Sequence, residues 1–363
     1  MTKKKIIIAT GGTGGHIFPA YSLASYLMKK DFNVKLTTDK RGEEYLKNYK
    51  NLNLIKIPSS PLIRKNILKL TYSISTNFFS ILKSLFFLSF NRPCLVFGVG
   101  GYSSFPVCVA AFILRIKFVI YESNLTLGKA NKYLLPFAKK VFVSYRELEG
   151  IPEKYNDKVV ETGNLIREEI INLNLQDQEN SFNTIKILVL GGSQSAKVFA
   201  DELPQIFKKV KNSGTTIKVL QQCQKNQVDQ LSQFYKKAGI EFEIFNFTDK
   251  IINYYSQASL VITRSGASVL AELVNINKPF IAVPLPTSAD NHQYKNAEFY
   301  QKKGYGYLLE EKDIKDKLYE LLNLILKDKL LIQKILSNQK QYSDKNIFKN
   351  LSAQLEEILD EKN

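Results

Sequence analysis

The stretch that decides the fold runs Leu260-Val261-Ile262-Thr263, Arg264-Ser265-Gly266-Ala267-Ser268-Val269-Leu270-Ala271-Glu272, then Phe280-Ile281-Ala282-Val283, Pro284, Pro286 and Asp290-Asn291-His292-Gln293. The first apolar run predicts a buried strand, Ser265–Ser268 a tight turn of small residues, and the residues after it a helix. Phe280–Val283 predicts a second buried strand ending in a polar loop. A helix opening at a strand's C-terminal edge presents backbone N–H groups and the positive end of its dipole there, which favours a phosphate. Glu272 falls four residues past Ser268, about one turn deeper on the same face. A carboxylate there suits both hydroxyls of a ribose. An ordinary βαβ unit with a solvated Glu272 would fit the same residues.

Outward from this stretch, apolar strands alternate with amphipathic helices through both halves of the chain. That pattern predicts an α/β fold of two doubly wound, Rossmann-like parallel-sheet domains. Strands are expected at Ile6–Ala9, Val34–Thr37, Leu54–Ile57, Leu95–Gly98, Phe118–Tyr121, Val141–Ser144 and Val159–Thr162. A second set is expected at Ile185–Leu190, Ile217–Gln221, Glu241–Phe245, Leu260–Thr263 and Phe280–Val283. The join falls near Thr162–Leu165, giving domains 1–163 and 164–343, with Asn172–Thr184 a polar loop. Asp344–Leu359 reads as an amphipathic helix with Ile347, Phe348, Leu351, Leu355 and Ile358 on one stripe.

The 363 residues, 44% hydrophobic and 23% charged, have the composition of a soluble globular protein. Cys94, Cys108 and Cys223 form no CxxC pair, which points away from a zinc site or disulfide frame and toward a reducing compartment. Met1-Thr2-Lys3-Lys4-Lys5 leads straight into Ile6-Ile7-Ile8, too short an apolar run for a signal peptide, so a cytoplasmic protein is expected. The net charge of +17 is lopsided: residues 1–163 hold 25 Lys+Arg against 10 Asp+Glu, residues 164–363 hold 26 against 24. A one-sided basic field suits lipid headgroups or nucleic acid, although a Lys-rich solvated face gives the same count.

Further loops carry small or polar residues at strand ends. Thr10-Gly11-Gly12-Thr13-Gly14-Gly15-His16 follows the first strand, and its glycines let a backbone approach an anion. Counted from Gly12, the third glycine of a dinucleotide fingerprint is Ile17, and no Lys-Ser or Lys-Thr closes a P-loop. Gly98-Val99-Gly100-Gly101-Tyr102-Ser103-Ser104, Tyr121-Glu122-Ser123-Asn124 and Gly191-Gly192-Ser193-Gln194-Ser195-Ala196 occupy equivalent places, where open α/β sheets bind ligands. His16 and His292 are the only histidines, and both sit in such loops. Residues 62–90 combine Arg64, Lys65, Lys69 and Lys83 with Phe78, Phe79 and other apolar residues. The segment suits an interfacial helix on an anionic membrane, or else a buried helix packed on the sheet.

Taken in order, Gly11–His16, Gly100–Ser104, Glu122–Asn124, Gly163-Asn164 with Arg167, Gly191–Ala196, Arg264–Glu272 and Asp290–Gln293 with Asn296-Ala297 resemble the MurG family of peptidoglycan N-acetylglucosaminyltransferases across essentially the whole chain. The resemblance implies the GT-B architecture, two such domains facing a cleft. It implies transfer of N-acetylglucosamine from UDP-GlcNAc to undecaprenyl-diphospho-MurNAc-pentapeptide (lipid I to lipid II) at the cytoplasmic face of the bacterial inner membrane, in service of cell shape and division. Residues 1–163 would take the lipid acceptor, residues 164–343 the UDP-sugar, and the helix within 344–363 would pack back on the first domain. It further implies sugar-nucleotide contacts from Thr13, Gly14, Gly15, Asn124 and Arg167, a donor-phosphate contact from Ser193, and a uracil contact from the backbone at Thr248. Ala267, Ser268, Val269, Leu270, Ala271 and Glu272 match the phosphate-and-ribose element, while Gln293 and Asn296 match the readers of the GlcNAc hydroxyls. Tyr121 stands where the family often has His, Ser195 where it has Gly, and Leu165 where Pro is common.

Attack of the muramoyl C4 hydroxyl on C1 of GlcNAc needs a base, worth ~10²–10⁴ in rate. His16 is the first candidate and Glu122 the second. One displacement would invert the anomeric centre. No Asp-x-Asp motif occurs, so no metal or other cofactor is expected, and the N–H groups at Gly266–Ser268 would stabilise the leaving diphosphate. UDP-GlcNAc 2-epimerases would share fold and donor without needing a lipid acceptor. A nucleic-acid-binding module would leave the glycine loops unexplained, so no nucleic-acid partner is expected.

Overall fold

Parallel strands need apolar cover on both faces, and the apolar runs supply it twice. In the computed structural model, which describes residues 3–47, 49, 52–61, 67–173, 184–248 and 250–361 (without the side chains of 193–196), the first sheet contains β1 (Lys5–Ala9), β2 (Asn33–Thr38), β3 (Leu54–Lys56), β4 (Leu95–Gly98), β5 (Phe118–Glu122), β6 (Val141–Val143) and β7 (Val159–Glu161). Their order is β3-β2-β1-β4-β5-β6-β7. The second sheet contains β8 (Ile185–Leu190), β9 (Ile217–Gln222), β10 (Glu241–Phe245), β11 (Leu260–Thr263), β12 (Phe280–Ala282) and β13 (Tyr307–Leu308), in the order β10-β9-β8-β11-β12-β13. Every pairing within both sheets is parallel. Ile6, Ile7, Ile8, Val96, Ile187, Leu188, Val189, Val261 and Ile262 are fully buried. β13 has only two residues, both half-buried, too few to show a period in the sequence.

The chain divides into two compact units, residues 1–168 with 344–363 and residues 169–343. Passage from the first unit to the second therefore comes after Glu168, later than the expected join at 163/164. Burial explains the displacement. Leu165 and Ile166 are 2% and 1% exposed, Leu165 N donates to Tyr121 Oη (2.8 Å) and Asn164 N donates to Asp344 Oδ1 (2.8 Å). The helix Ile347–Asp360 buries Ile347, Phe348, Leu351, Leu355 and Ile358, and Phe348 stacks on Tyr26 of the helix Gly14–Lys29 at 5.2 Å.

Strand order reverses direction between β1 and β4 in one unit and between β8 and β11 in the other. Ligands of doubly wound sheets bind beyond the carboxyl ends of the strands at such a switch point. Gly11–Gly15 and Val99–Gly101 follow β1 and β4, while Gly191-Gly192 and Arg264–Ala267 follow β8 and β11. The topology thus brings each pair of small-residue turns to one place.

Candidate active site

In the first unit the two glycine turns meet at one imidazole. Gly100 and Gly101 have φ of +81° and +73°, open to glycine at little cost. A methyl group on Gly100 would lie 3.5 Å from His16 Cε1 and 3.3 Å from the Tyr121 carbonyl oxygen, and one on Gly101 would lie 3.4 Å from His16 Cδ2. The half-buried ring of His16 therefore rests against the second turn, while its backbone N–H donates to Thr13 O (3.0 Å) within the first. Thr13 and Gly15 are exposed, but Gly11 and Gly12 are buried. Gly12 N donates to both carboxylate oxygens of Asp39, each at 3.2 Å. That end of the loop consequently faces a carboxylate instead of an incoming anion, leaving Thr13–Gly15 as the approachable part.

Glu122, at the end of β5, is 3% exposed. Its Oε1 accepts from Asn124 N (3.1 Å) and Asn124 Nδ2 (2.9 Å), and its Oε2 from Gly128 N and Asn131 Nδ2 (both 2.9 Å). A carboxylate offers about four acceptor positions, and all are taken. Glu122, the second candidate base, thus organises the loop from Asn124 to Asn131. Asn131 also donates to Tyr121 O (3.0 Å), so the same loop backs the Gly100 turn. Tyr121 is tied inward, its hydroxyl within 2.8 Å of Ser144 Oγ and donating to Gly163 O at 3.2 Å. Burial pushes that hydroxyl's pKa up. The Arg167 guanidinium lies 4.9 Å over the Phe18 ring, beside the first turn of the helix Gly14–Lys29, because Phe18 in turn flanks Gly14.

In the second unit the helix Ala267–Asn275 opens at Gly266 with no side-chain cap, and its ladder starts with Leu270 N donating to Gly266 O (3.2 Å). The N–H groups ahead of that bond make the helix terminus an anion site in kind. Ala267, Leu270 and Ala271 bury their side chains, so of the expected contact residues these can offer only backbone. Arg264 fixes the turn from behind. Its Nη1 donates to Val283 O and Pro284 O (3.4 and 3.2 Å), its Nη2 pairs with Glu311 at 2.5 Å, and its guanidinium covers the Phe199 ring at 4.7 Å. Burial lowers its pKa.

Glu272 is 3% exposed and its Oε2 accepts from the buried Tyr255 hydroxyl at 2.9 Å. Gln293 Oε1 accepts from Leu285 N (2.9 Å), which aims the amide. Asn296 is fully buried and its Nδ2 donates to Ser265 O (3.1 Å). Asn296 holds the Ser265–Ala267 turn to the helix His292–Lys302 and does not face solvent. Asp290 and Asn291, just before that helix, both have left-handed φ (50° and 54°). Thr248 follows β10, its Oγ1 accepting from Lys250 N (3.0 Å). Gly192 follows β8 with φ of +67° and open space around it, and its N–H donates to Gln222 Oε1 (3.2 Å). The Ser193 side chain lies outside the described residues.

One further surface belongs to the first unit. The helix Ile67–Asn91 is turned inside out: its buried residues are Ser73, Ser80, Ser84 and Leu88, while Phe78, Phe79, Phe86 and Phe90 are 57–75% exposed. Ser73 Oγ donates inward to Pro61 O (3.0 Å) and Ser80 Oγ to Pro58 O, while Ser84 Oγ donates back to Ser80 O of its own helix (2.7 Å). Lys69 and Lys83 are exposed on it, and Arg64 and Lys65 lie outside the described residues. By length and composition the helix could cross a membrane.

Comparison with known proteins completes the picture. Residues 6–143 match the glycosyltransferase family 28 N-terminal domain and residues 186–355 the family 28 C-terminal domain. The UDP-N-acetylglucosamine–N-acetylmuramyl-(pentapeptide) pyrophosphoryl-undecaprenol N-acetylglucosamine transferase of Pelagibacter ubique is 36% identical, covering 99% of each chain. That of Rickettsia bellii is 35% identical over 88% of this chain and 91% of its own. Among solved structures, Acinetobacter baumannii MurG matches with a TM-score of 0.76 at 24% identity over 98% of this chain and 99% of its own. A Neisseria meningitidis UDP-GlcNAc 2-epimerase bound to UDP-GlcNAc matches with 0.67 at 15% identity, over 97% and 100%. Fold alone is thus shared with the epimerases, and the two parallel sheets are those of the GT-B architecture. Sequence identity over the full length separates the two groups. The chain belongs to the MurG family of glycosyltransferase family 28 N-acetylglucosamine transferases.

Proposed function

We propose that the protein transfers N-acetylglucosamine from UDP-GlcNAc to the C4 hydroxyl of MurNAc in undecaprenyl-diphospho-MurNAc-pentapeptide, a step of peptidoglycan synthesis. The observation that carries this reading on the acceptor side is the His16 imidazole seated against Gly100 and Gly101 at the switch point of the first sheet. His16 takes the proton of the attacking hydroxyl. With Glu122 fully occupied by its loop, the imidazole is the group left for acid–base work at that edge.

On the donor side the N–H groups and dipole of the helix opening at Gly266 receive the charge that develops on the departing UDP, with Ser193 and Gly192 at the neighbouring turn. Glu272 meets the ribose, the backbone at Thr248 meets uracil, and the Gln293 amide reads the sugar hydroxyls. Arg167, Asn124 and Thr13–Gly15 contribute from the first unit. A single displacement gives a β-linked product from the α-linked donor. The outward aromatic face of the helix Ile67–Asn91, with Lys69, Lys83, Arg64 and Lys65, seats the protein peripherally on the anionic cytoplasmic leaflet, where its product would serve cell-wall growth, shape and division.

The deciding experiment is a radiolabelled UDP-GlcNAc assay with and without the lipid-linked acceptor, for the natural protein and for His16→Ala. Labelled lipid product that depends on acceptor is expected, with kcat of His16→Ala down by ~10²–10⁴ and UDP binding retained. Release of UDP and a 2-epimeric sugar without acceptor would assign the chain to epimerase chemistry. An undiminished kcat in His16→Ala would move the base elsewhere.

A further inference from the structure

Asp39 follows β2 and caps the helix Lys40–Leu46 through Gly42 N (2.9 Å). A cap needs one acceptor, but this carboxylate gathers far more. Besides the two bonds from Gly12 N, its Oδ2 accepts from Ser103 Oγ at 3.1 Å and from Tyr102 Oη at 3.4 Å. These donors come from both glycine turns that flank His16: Gly12 from the first, Tyr102 and Ser103 from the helix Gly101–Ile113 that the second opens. Gly11 must be glycine for the same closeness, since an added Cβ would strike Ser103. Asp39 is 5% exposed, and no ion pair involves it among the described residues, so neutral donors alone hold the charge. Charge-assisted bonds of this kind are the stronger ones.

The network runs on. Ser59 Oγ donates to Ser103 Oγ (2.9 Å). The loop around Ser59 is held by the inward face of the helix Ile67–Asn91, with Asn77 Nδ2 donating to Ser60 O (2.9 Å) and Ser73 to Pro61 O.

We propose that Asp39 is a positioning residue for the transfer reaction, its carboxylate setting the separation of the two glycine turns and hence the seat of His16. The proposal rests on the acceptor-side reading above. A residue that only capped its helix would answer to stability and leave kinetics per folded molecule unchanged. Asp39→Asn keeps the shape but removes the charge and turns an NH₂ toward a site crowded with donors.

The test uses the full chain with UDP-GlcNAc and the lipid-linked acceptor, rates being normalised to UDP-binding sites. For Asp39→Asn, kcat/KM for acceptor is expected to fall ~10–100-fold, the range for a misplaced catalytic group, with a smaller rise in donor KM through the loosened Thr13–Gly15. Ser103→Ala, which removes one donor, shows the same pattern at a smaller size and carries the test if Asp39→Asn does not fold. Amide hydrogen exchange of Asp39→Asn is expected to speed up in peptides spanning residues 10–16 and 98–104 and stay unchanged in 264–272. Unchanged acceptor kcat/KM in both variants, or unchanged exchange at 10–16 in the folded Asn variant, overturns the proposal. If the natural protein transfers no sugar to the lipid, the functional reading fails instead, and the exchange measurement still judges Asp39's hold on the two turns.

Discussion

Replacing Phe79, Phe86 and Phe90 together with Ser should detach the protein from membranes while leaving it folded. These rings are 67%, 69% and 75% exposed, so most of each is available for transfer into lipid. Burying a whole Phe side chain is worth ~1.5–3 kcal/mol; at roughly two-thirds to three-quarters of that, each ring gives about 1–2 kcal/mol. Three rings give about 4 kcal/mol, or roughly a thousandfold in partition. Lys69 and Lys83 add about 1 kcal/mol each near an anionic leaflet and are untouched by the change. The folded state loses little, because exposed side chains away from special features contribute within about 0.5 kcal/mol. Sedimentation with vesicles containing anionic phospholipid measures the partition, and thermal unfolding without lipid measures the fold. A partition within about threefold of the parent, or a melting temperature lowered by more than ~5 °C, would refute the reasoning, the second because it would mean the aromatic face is packed against protein.

Two further expectations concern the second unit. Glu272→Ala should raise the donor KM more than ~10-fold, whereas Tyr255→Phe should cost about 1–2 kcal/mol of stability with a much smaller change in KM; equal effects on KM would make Glu272 a structural partner of Tyr255 and nothing more. Lys278 donates to Ala258 O (2.8 Å) and burial lowers its pKa to about 8. Its neutral form is favoured in the folded state, so between pH 8 and the ordinary lysine value near 10.5 the unfolded chain holds more protons and stability rises with pH. Relative to Lys278→Met the natural protein should gain on the order of 2 kcal/mol across that window, after discounting for partial exposure. Urea unfolding of both proteins at several pH values checks it, and a difference flat with pH would exclude the burial effect.

The sheets were legible wherever a strand was long enough to form an apolar run. Ile6–Ile8 and Leu260–Ile262 declare themselves, whereas β13 rests on Tyr307 and Leu308 alone and leaves no pattern. The glycine turns were legible because backbone freedom is written as glycine. Side-chain duties were not. Asp39 after a strand reads as a helix cap, since its other partners stand 27 and 64 residues away. Glu122 reads as a carboxylate aimed outward until its donors from Asn124, Gly128 and Asn131 are seen. Leu270 and Ala271 match a ligand motif in sequence while packing into the core. The serines at 73, 80 and 84 keep a helical spacing, but a polar stripe facing inward runs against the usual reading of an amphipathic helix. Only the acceptors at Pro58 and Pro61 show why it is possible.

The way these carboxylates are satisfied bears on the chemistry as well as the fold. Loops at the carboxyl ends of parallel strands must be held still if they are to place a substrate, and a buried acid is an efficient anchor because several N–H groups can converge on it. Asp39 and Glu122 do this with neutral donors: backbone N–H groups, Asn amides and hydroxyls. Had lysines or arginines done so, part of the basic excess in residues 1–163 would be cancelled inside the unit. As built, ion pairs of the first unit such as Lys3–Asp31 and Lys4–Asp360 join exposed side chains, where the basic excess can act as a field of one sign that draws a protein toward an anionic leaflet. The same arrangement supports the acid–base proposal made above. A carboxylate whose acceptor positions are filled by the loop it supports could take a proton only by releasing that loop, which favours the proposal that the His16 imidazole, seated against the glycine turns, moves the proton.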